Sequence, residues 1–313
     1  MNKVLIADSV SSAVSEVFDK NGIAYDTKIG LSEDELATEI TEYSGLIVRS
    51  AVTVTEKIIN SAINLKVIGR PGVGVDNVDL KAATNNGIVV MNTPLGNVQA
   101  TAELTFGIMH SLMRKISNAN QSMHQKKWEK KKFIGNEMYG KTIGIIGFGN
   151  IGKKVSQIAH AYGMNVLVYS ASISPEDEKK FNVTNQSIDE ILEGADIITF
   201  HNKLSENSKY LINSNAITKM KKNAIIINCA RGGLVNEKDI KEALEKGNIA
   251  GYGCDVYENE PEQDSIFSSM DNVVMTPHIG ASTIEAQEKV AYQIAEQIVE
   301  FLKNNKIINQ VNK

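Results

Sequence analysis

Cysteine and arginine are scarce in this 313-residue chain, and it has neither an excess of positive charge nor a long apolar run. Each shortage argues against a class of function. The two cysteines, Cys229 and Cys254, lie in apolar stretches without ligand-type spacing, which speaks against a disulfide framework or a zinc site and marks both as buried packing residues. No metal is expected. A formal charge of −4 argues against non-specific nucleic-acid binding, which needs net basic surface. The longest apolar runs, such as Ile143 to Ile146 and Ala224 to Ile227, are far too short to cross a bilayer. The N-terminus reaches Asp8 too early for a secretory signal and reads as a first strand, so a cytoplasmic location is expected. Only Arg49, Arg70, Arg114 and Arg231 stand against a majority of lysines among the 33 basic residues. Lysine suffices for solubility, so these arginines point to bidentate recognition of carboxylate or phosphate, and three of the four fall at ends of expected strands.

The length exceeds what one core usually supports, and 42% hydrophobic with 22% charged residues suits two packed globular domains. Short apolar runs at Val4 to Ala7, Leu46 to Val48, Leu65 to Ile68 and Ile88 to Met91 alternate with stretches of helical spacing. Ser32 with Glu35, and Thr53 with Glu56, have capping-box spacing. A long helical stretch from about Gln99 to Ser117 follows. Six further strands are expected at Thr142–Ile146, Val166–Tyr169, Ile197–Phe200, Ala224–Asn228, Ile249–Asp255 and Val273–Thr276. The last helix opens at Ser282 with Glu285 and carries Val290, Ile294, Ile298 and Leu302 at four-residue spacing. This α/β alternation implies two parallel-sheet domains, with a Rossmann dinucleotide-binding domain at 99–284 inserted into a domain formed by 1–98 and 285–313.

The run Gly147-Phe148-Gly149-Asn150-Ile151-Gly152 directly follows one strand and opens a helix, the context that makes a glycine fingerprint a pyrophosphate site. About twenty residues on, where an acid normally meets the adenosine ribose, stands Ser170. A neutral serine removes the repulsion of NADP without adding an attraction, so NAD is favoured and NADP stays open. A second glycine cluster, Gly69, Gly72 and Gly74, has Asn77 in place of its final glycine, and Arg70 within it suggests a substrate loop. Downstream, Arg231, Glu260 and His278 each follow an expected strand. They supply a cationic fork, a carboxylate and an imidazole, the groups needed to hold a 2-hydroxy acid and move its hydroxyl proton.

These motifs, their separations and the upstream loop resemble the D-isomer-specific 2-hydroxyacid dehydrogenase family. The resemblance covers essentially the whole chain and extends through Gly45-Leu46-Ile47-Val48-Arg49-Ser50, Val75-Asp76-Asn77-Val78-Asp79, Val90-Met91-Asn92-Thr93-Pro94, Lys127-Trp128-Glu129 and Gly280-Ala281-Ser282-Thr283. It implies a flavodoxin-like substrate domain around the Rossmann insertion, and NAD-linked oxidation of D-3-phosphoglycerate to 3-phosphohydroxypyruvate at the entry to serine synthesis. Arg231 would clamp the substrate carboxylate, His278 would carry the proton and Glu260 would hold the imidazole. Gly147, Gly149, Asn150, Ile151, Gly152, Ser170, His201, Cys229, Ala230 and Asp255 would meet the cofactor, Asp255 at the nicotinamide carboxamide. Arg49, Ser50, Arg70, Gly72 and Asn92 would meet the substrate, with Lys130 and Lys132 reaching across a homodimer interface to its phosphate. Because the chain ends soon after its last helix, the resemblance is to short forms, and feedback by serine is not expected. Three positions depart from the family pattern: Pro71 beside Arg70, Asn202-Lys203 where a small residue and proline are usual, and Ser170. The alternatives are a hydroxypyruvate or glyoxylate reductase, linked to NADPH or NADH, and a cofactor-sensing binding protein resembling the C-terminal-binding-protein corepressors.

Overall fold

The computed structural model describes residues 2–312. The chain forms two compact units: a first from the N-terminus through Val98 and again from Ala281 onward, and a second spanning Gln99–Gly280. The return falls at Ala281 rather than at the expected 285. Residues 278–280 are tied into the second unit, where the Gly280 carbonyl accepts the Thr101 hydroxyl. Residues 1 and 313 of the expected outer domain lie outside the described residues.

In the first unit, five parallel strands, β1 (Lys3–Ile6), β2 (Ala24–Thr27), β3 (Gly45–Ile47), β4 (Val67–Arg70) and β5 (Val89–Asn92), lie in the order β2-β1-β3-β4-β5. That is the flavodoxin-like order. One face is covered by the helices Glu33–Glu39, Glu56–Ser61 and Leu80–Asn85. Ala13–Asn21 and the long helix Ile284–Asn304 cover the other, burying Val290, Ile294 and Ile298 as their spacing predicts. A Cβ at Gly69 of β4 would lie 2.6 Å from Ile298 Cδ1, so the bare strand surface lets that helix seat. β2 escapes the sequence pattern because it is an edge strand, Ala-Tyr-Asp-Thr, with no buried residue. Ser32 and Glu35 do form a capping box. The other two caps shift: Thr55, not Thr53, precedes Glu56–Ser61, and Thr283, not Ser282, accepts the Ala286 N–H at the start of the last helix.

The second unit holds seven parallel strands: β6 (Thr142–Ile146), β7 (Asn165–Tyr169), β8 (Thr184–Asn185), β9 (Ile197–Phe200), β10 (Ile225–Asn228), β11 (Gly251–Cys254) and β12 (Val273–Met275). Their order, β12-β11-β10-β9-β6-β7-β8, is the doubly wound nucleotide-binding arrangement with its reversal at β6. β8, two exposed residues long, was not foreseen. The helical stretch expected to run to Ser117 breaks at Lys115, whose φ of +53° separates Val98–Arg114 from Ile116–His124. Cys229 and Cys254 are buried, each thiol pushed up to about 12 by burial. Among the described residues no helix is long and apolar enough to cross a membrane, and no group of three or more His, Cys, Asp or Glu side chains could hold a metal ion.

Candidate active site

In a parallel sheet every strand ends at the same edge, so the loops after β6, β9, β10, β11 and β12 gather there. Each glycine of the phosphate loop has a separate physical reason. Gly147 has φ +100°, and a Cβ on it would lie 2.5 Å from the Asn202 nitrogen. A Cβ on Gly152 would lie 2.1 Å from the Gly147 carbonyl oxygen, so the helix Asn150–Ala161 can start only this close to the turn without one. At Gly149 nothing lies within 4 Å of a Cβ position, which leaves the space a pyrophosphate would use. That gap sits at the positive end of a 12-residue helix, with Asn150 and Ile151 in its first turn. The loop after β9 closes against Gly147 by its backbone. There His201 Nδ1 and Asn202 Oδ1 are buried without hydrogen-bond partners, polar atoms of the kind a bound polar group would satisfy. Burial pushes His201 down to about 3, so it is neutral, with Nε2 3.0 Å from the Thr199 hydroxyl. The residues therefore fit a dinucleotide. At the end of β7 the Ser170 N–H donates to Asn185 Oδ1 and its hydroxyl accepts from the Ser172 N–H, with no acid in this turn. Asp177, from the next helix, pairs with Lys153.

Cys229 and Ala230, both buried, bring the chain off β10, and the Ala230 N–H donates to Asn228 Oδ1. Asn228 Nδ2 donates to the Arg231 carbonyl, and Arg231 Nη1 to the Ala230 carbonyl, which fixes the start of the guanidinium's path. Gly232 was not foreseen as essential. A Cβ there would sit 1.9 Å from the Tyr257 carbonyl carbon, so only glycine lets the Arg231 loop lie on the loop that carries Glu260. Nothing in one dimension signals such an approach.

Glu260 and His278 form a direct pair, Nδ1 to Oε2, at 2.6 Å. The other carboxylate oxygen accepts the Tyr257 N–H, and the Glu260–Pro261 peptide is cis. Glu260's hydrogen bond first, then its charge and that of Asp255, raises the imidazole above its ordinary value of 6.5, against burial and Arg231. Burial alone would lift the Glu260 carboxyl, but His278, the Tyr257 N–H and the charge of Arg231 bring it below its usual range. Arg231 thus acts electrostatically on both members, and the structure brings the three expected residues together.

His278 has φ +52°, a conformation costing an L-residue roughly 1–2 kcal/mol. Asp255 holds it. That buried carboxylate accepts the Thr276 hydroxyl and the N–H groups of Ile279 and Gly280, all at 2.6–2.7 Å. The carboxylate expected at a nicotinamide carboxamide is thus engaged with the His278 turn. Tyr257 adds a brace, its hydroxyl donating to the Thr276 carbonyl that also accepts the His278 N–H.

The substrate residues expected in the first unit form two local clusters after β3, β4 and β5. Asp8, not foreseen, accepts the N–H groups of Arg49 and Ala51 and shapes the loop that carries Ser50. Arg49 Nη1 donates to the Ser9 carbonyl, and Asn77 spans the Arg49 and Val52 carbonyls. Gly72 has φ +146°, and a Cβ there would lie 1.7 Å from Arg70 Nη1, so the arginine folds over bare backbone. Thr93 exchanges hydrogen bonds with Gly72, and Asn92 donates to the Val73 carbonyl. Lys130 and Lys132 lie in an exposed 3-10 turn, Lys130–Phe133, where Lys132 pairs with Glu129.

Residues 106–280 match the family model described as D-isomer specific 2-hydroxyacid dehydrogenase, NAD binding domain. The D-3-phosphoglycerate dehydrogenase of Bacillus subtilis (strain 168) is 42% identical over 314 residues, covering 100% of this chain and 59% of its own length. The chain therefore spans little more than half of that relative. A Thermus thermophilus protein of known structure superposes with TM-score 0.91 at 30% identity, covering 99% of each chain. The NAD+-bound 3-phosphoglycerate dehydrogenase of Entamoeba histolytica superposes with TM-score 0.84 at 28% identity, covering 100% of this chain and 99% of that one.

Proposed function

Since the chain belongs to the D-isomer specific 2-hydroxyacid dehydrogenase family, we propose that it oxidises D-3-phosphoglycerate to 3-phosphohydroxypyruvate with NAD. The observation that carries the chemistry is the 2.6 Å His278–Glu260 pair within the field of Arg231, on the strand edge that bears the glycine loop. Bound there, NAD supplies the hydride acceptor. Arg231 binds the substrate carboxylate with its planar fork, and neutral His278 takes the hydroxyl proton at its free nitrogen while Glu260 stabilises the imidazolium that results. The substrate itself is argued from the identity to the Bacillus subtilis enzyme over the whole of this chain. Arg49 and Arg70, with Ser50, Gly72 and Asn92 shaping their loops, are the proposed phosphate-side residues, and Lys130 and Lys132 join them from a second copy. The test is a steady-state comparison on purified protein. The phosphorylated acid should exceed D-glycerate in kcat/KM by at least about tenfold, since charge-assisted contacts to phosphate are lost with the smaller acid. Equal values would remove the phosphate assignment.

Ser170 favours a second reading, a hydroxypyruvate or glyoxylate reductase able to use NADPH. Kd values for NADH and NADPH, taken on protein stripped of bound nucleotide, separate the two. The homodimer belongs to this proposal as well. Trp128, Ile134 and Tyr139 are 81%, 77% and 79% exposed on one segment, an apolar surface a second copy would cover. Sedimentation should give twice 34.2 kDa, and Trp128→Lys should shift the population toward monomer. A cytoplasmic location and the absence of a nucleic-acid partner complete the reading.

A further inference from the structure

The loop that carries Arg231 and the loop that carries Glu260 leave different strands, β10 and β11. Besides the close approach at Gly232, a reciprocal contact outside the reacting groups joins them. Glu258 Oε1 accepts the Glu237 N–H at 3.0 Å, and Glu237 Oε1 accepts the Glu258 N–H at 2.9 Å. Glu237 opens the helix Glu237–Glu245 that directly continues the Arg231 loop. Glu258 lies two residues before Glu260 on the chain whose backbone abuts Gly232. The remaining oxygen of Glu258 accepts the Tyr210 hydroxyl at 3.1 Å. Tyr210 is itself held at φ +51°, its N–H donating to the Gly233 carbonyl. Three segments therefore meet at one carboxylate.

We propose that Glu237 and Glu258 are positioning residues: their crossed carboxylate-to-amide bonds, with Tyr210 as a third point, latch the Arg231 loop to the Glu260 loop and so set the Glu260–His278 pair. The inference rests on the reading of Arg231, Glu260 and His278 given above. In the latch Glu237 is partly buried and Glu258 exposed, and burial first, then the charges of Glu258 and Glu262, lifts the Glu237 carboxyl above its usual range. Like charges this close are stabilised only through what each accepts, here the other's backbone N–H. Each bond needs an acceptor oxygen rather than a charge, so glutamine can substitute where alanine cannot.

The experiment is an NMR titration of the His278 imidazole in the full-length protein, with KM for the 2-hydroxy acid measured in parallel. In Glu258→Ala the Glu260 loop is unlatched, the His278 pKa falls toward its ordinary value, and KM rises roughly tenfold, the scale of one charge-assisted hydrogen bond. Glu258→Gln retains most of the raised value. Tyr210→Phe, which removes only the third point, gives a smaller change of the same sign and serves if the alanine variant does not fold. A His278 titration unmoved in folded Glu258→Ala, or unmoved in Tyr210→Phe where that variant stands in, overturns the latch. So does a glutamine variant as disruptive as alanine. A protein that turns over no 2-hydroxy acid, but whose His278 titration responds to Glu258, would instead remove the enzymatic reading and leave the latch standing.

Discussion

At the scale of single residues, the site is a balance of charges around His278. Its raised pKa means the proton is held more tightly than on a free imidazole, so the neutral base that the proposed oxidation needs accumulates only as pH rises through that raised value. Oxidation should therefore increase with pH over a range above 6.5, and reduction should fall over the same range. Glu260→Gln removes the main cause: the midpoint of the pH–rate profile should move down, and kcat should drop by about 10²–10⁴. An unmoved midpoint would deny the pair its role. Stability follows the same sign. The histidine's folded-state value is raised, so its contribution is complete below 6.5 and is lost as pH climbs from there through the raised folded-state value. Glu260's, with the value depressed, is complete above 4.5 and is lost on acidification below it. Arg231→Lys keeps the charge but loses the fork, so KM for the acid should rise about tenfold or more with the fold intact, as circular dichroism would verify. The proposed triad could be picked out of the sequence because arginine is rare and each member follows a strand. Asp255's hold on the His278 turn and Asp8's on the Arg49 loop were not, since both act by accepting backbone N–H groups brought near only by folding.

At the scale of elements, loops are fixed by close approaches that leave no periodic trace. Gly232 and Gly233 are neighbours with opposite tolerances. A methyl group at 232 meets the Tyr257 and Glu258 backbone at 1.9–2.4 Å, whereas at 233 it meets only the flexible Leu204 side chain at 3.1 Å. Gly232→Ala should cost about 1–3 kcal/mol in chemical denaturation and most of the activity, and Gly233→Ala far less of both. Matched losses would mean the two loops are not packed as described. Asn236 caps the helix Glu237–Glu245 by accepting the N–H groups of Lys238 and Asp239, so Asn236→Ala should remove about 1 kcal/mol of stability. Long apolar strands such as β6 and β9 were read from pattern alone. The edge strands β2 and β8 were not, because a strand that buries no side chain has no reason to be apolar. The helix expected to continue past Arg114 stops because the backbone turns left-handed at Lys115, a residue whose type announces nothing of the kind.

At the scale of the whole molecule, each unit has its own sheet covered on both faces. The two parallel sheets were legible from the βα alternation, and their strand orders agree with the fold the family implies. NADH binds the folded second unit, so at 100 times its Kd it should stabilise that unit by about 2.7 kcal/mol. Hydrogen exchange should slow chiefly in β6, β9 and β10, and equal slowing in β1 and β3 would contradict the assignment. The first unit is discontinuous, and this bears on its birth at the ribosome. The nascent chain completes Gln99–Gly280 before Ile284–Asn304 has emerged, so the earlier-made sheet waits with Gly69 and its neighbours uncovered. Asn312, which bonds the backbone of Val90 and Ile88, emerges later still. A translation intermediate stalled just after Gly280 would thus expose β1 to β5 to protease and chaperone while Gln99–Gly280 is already protected.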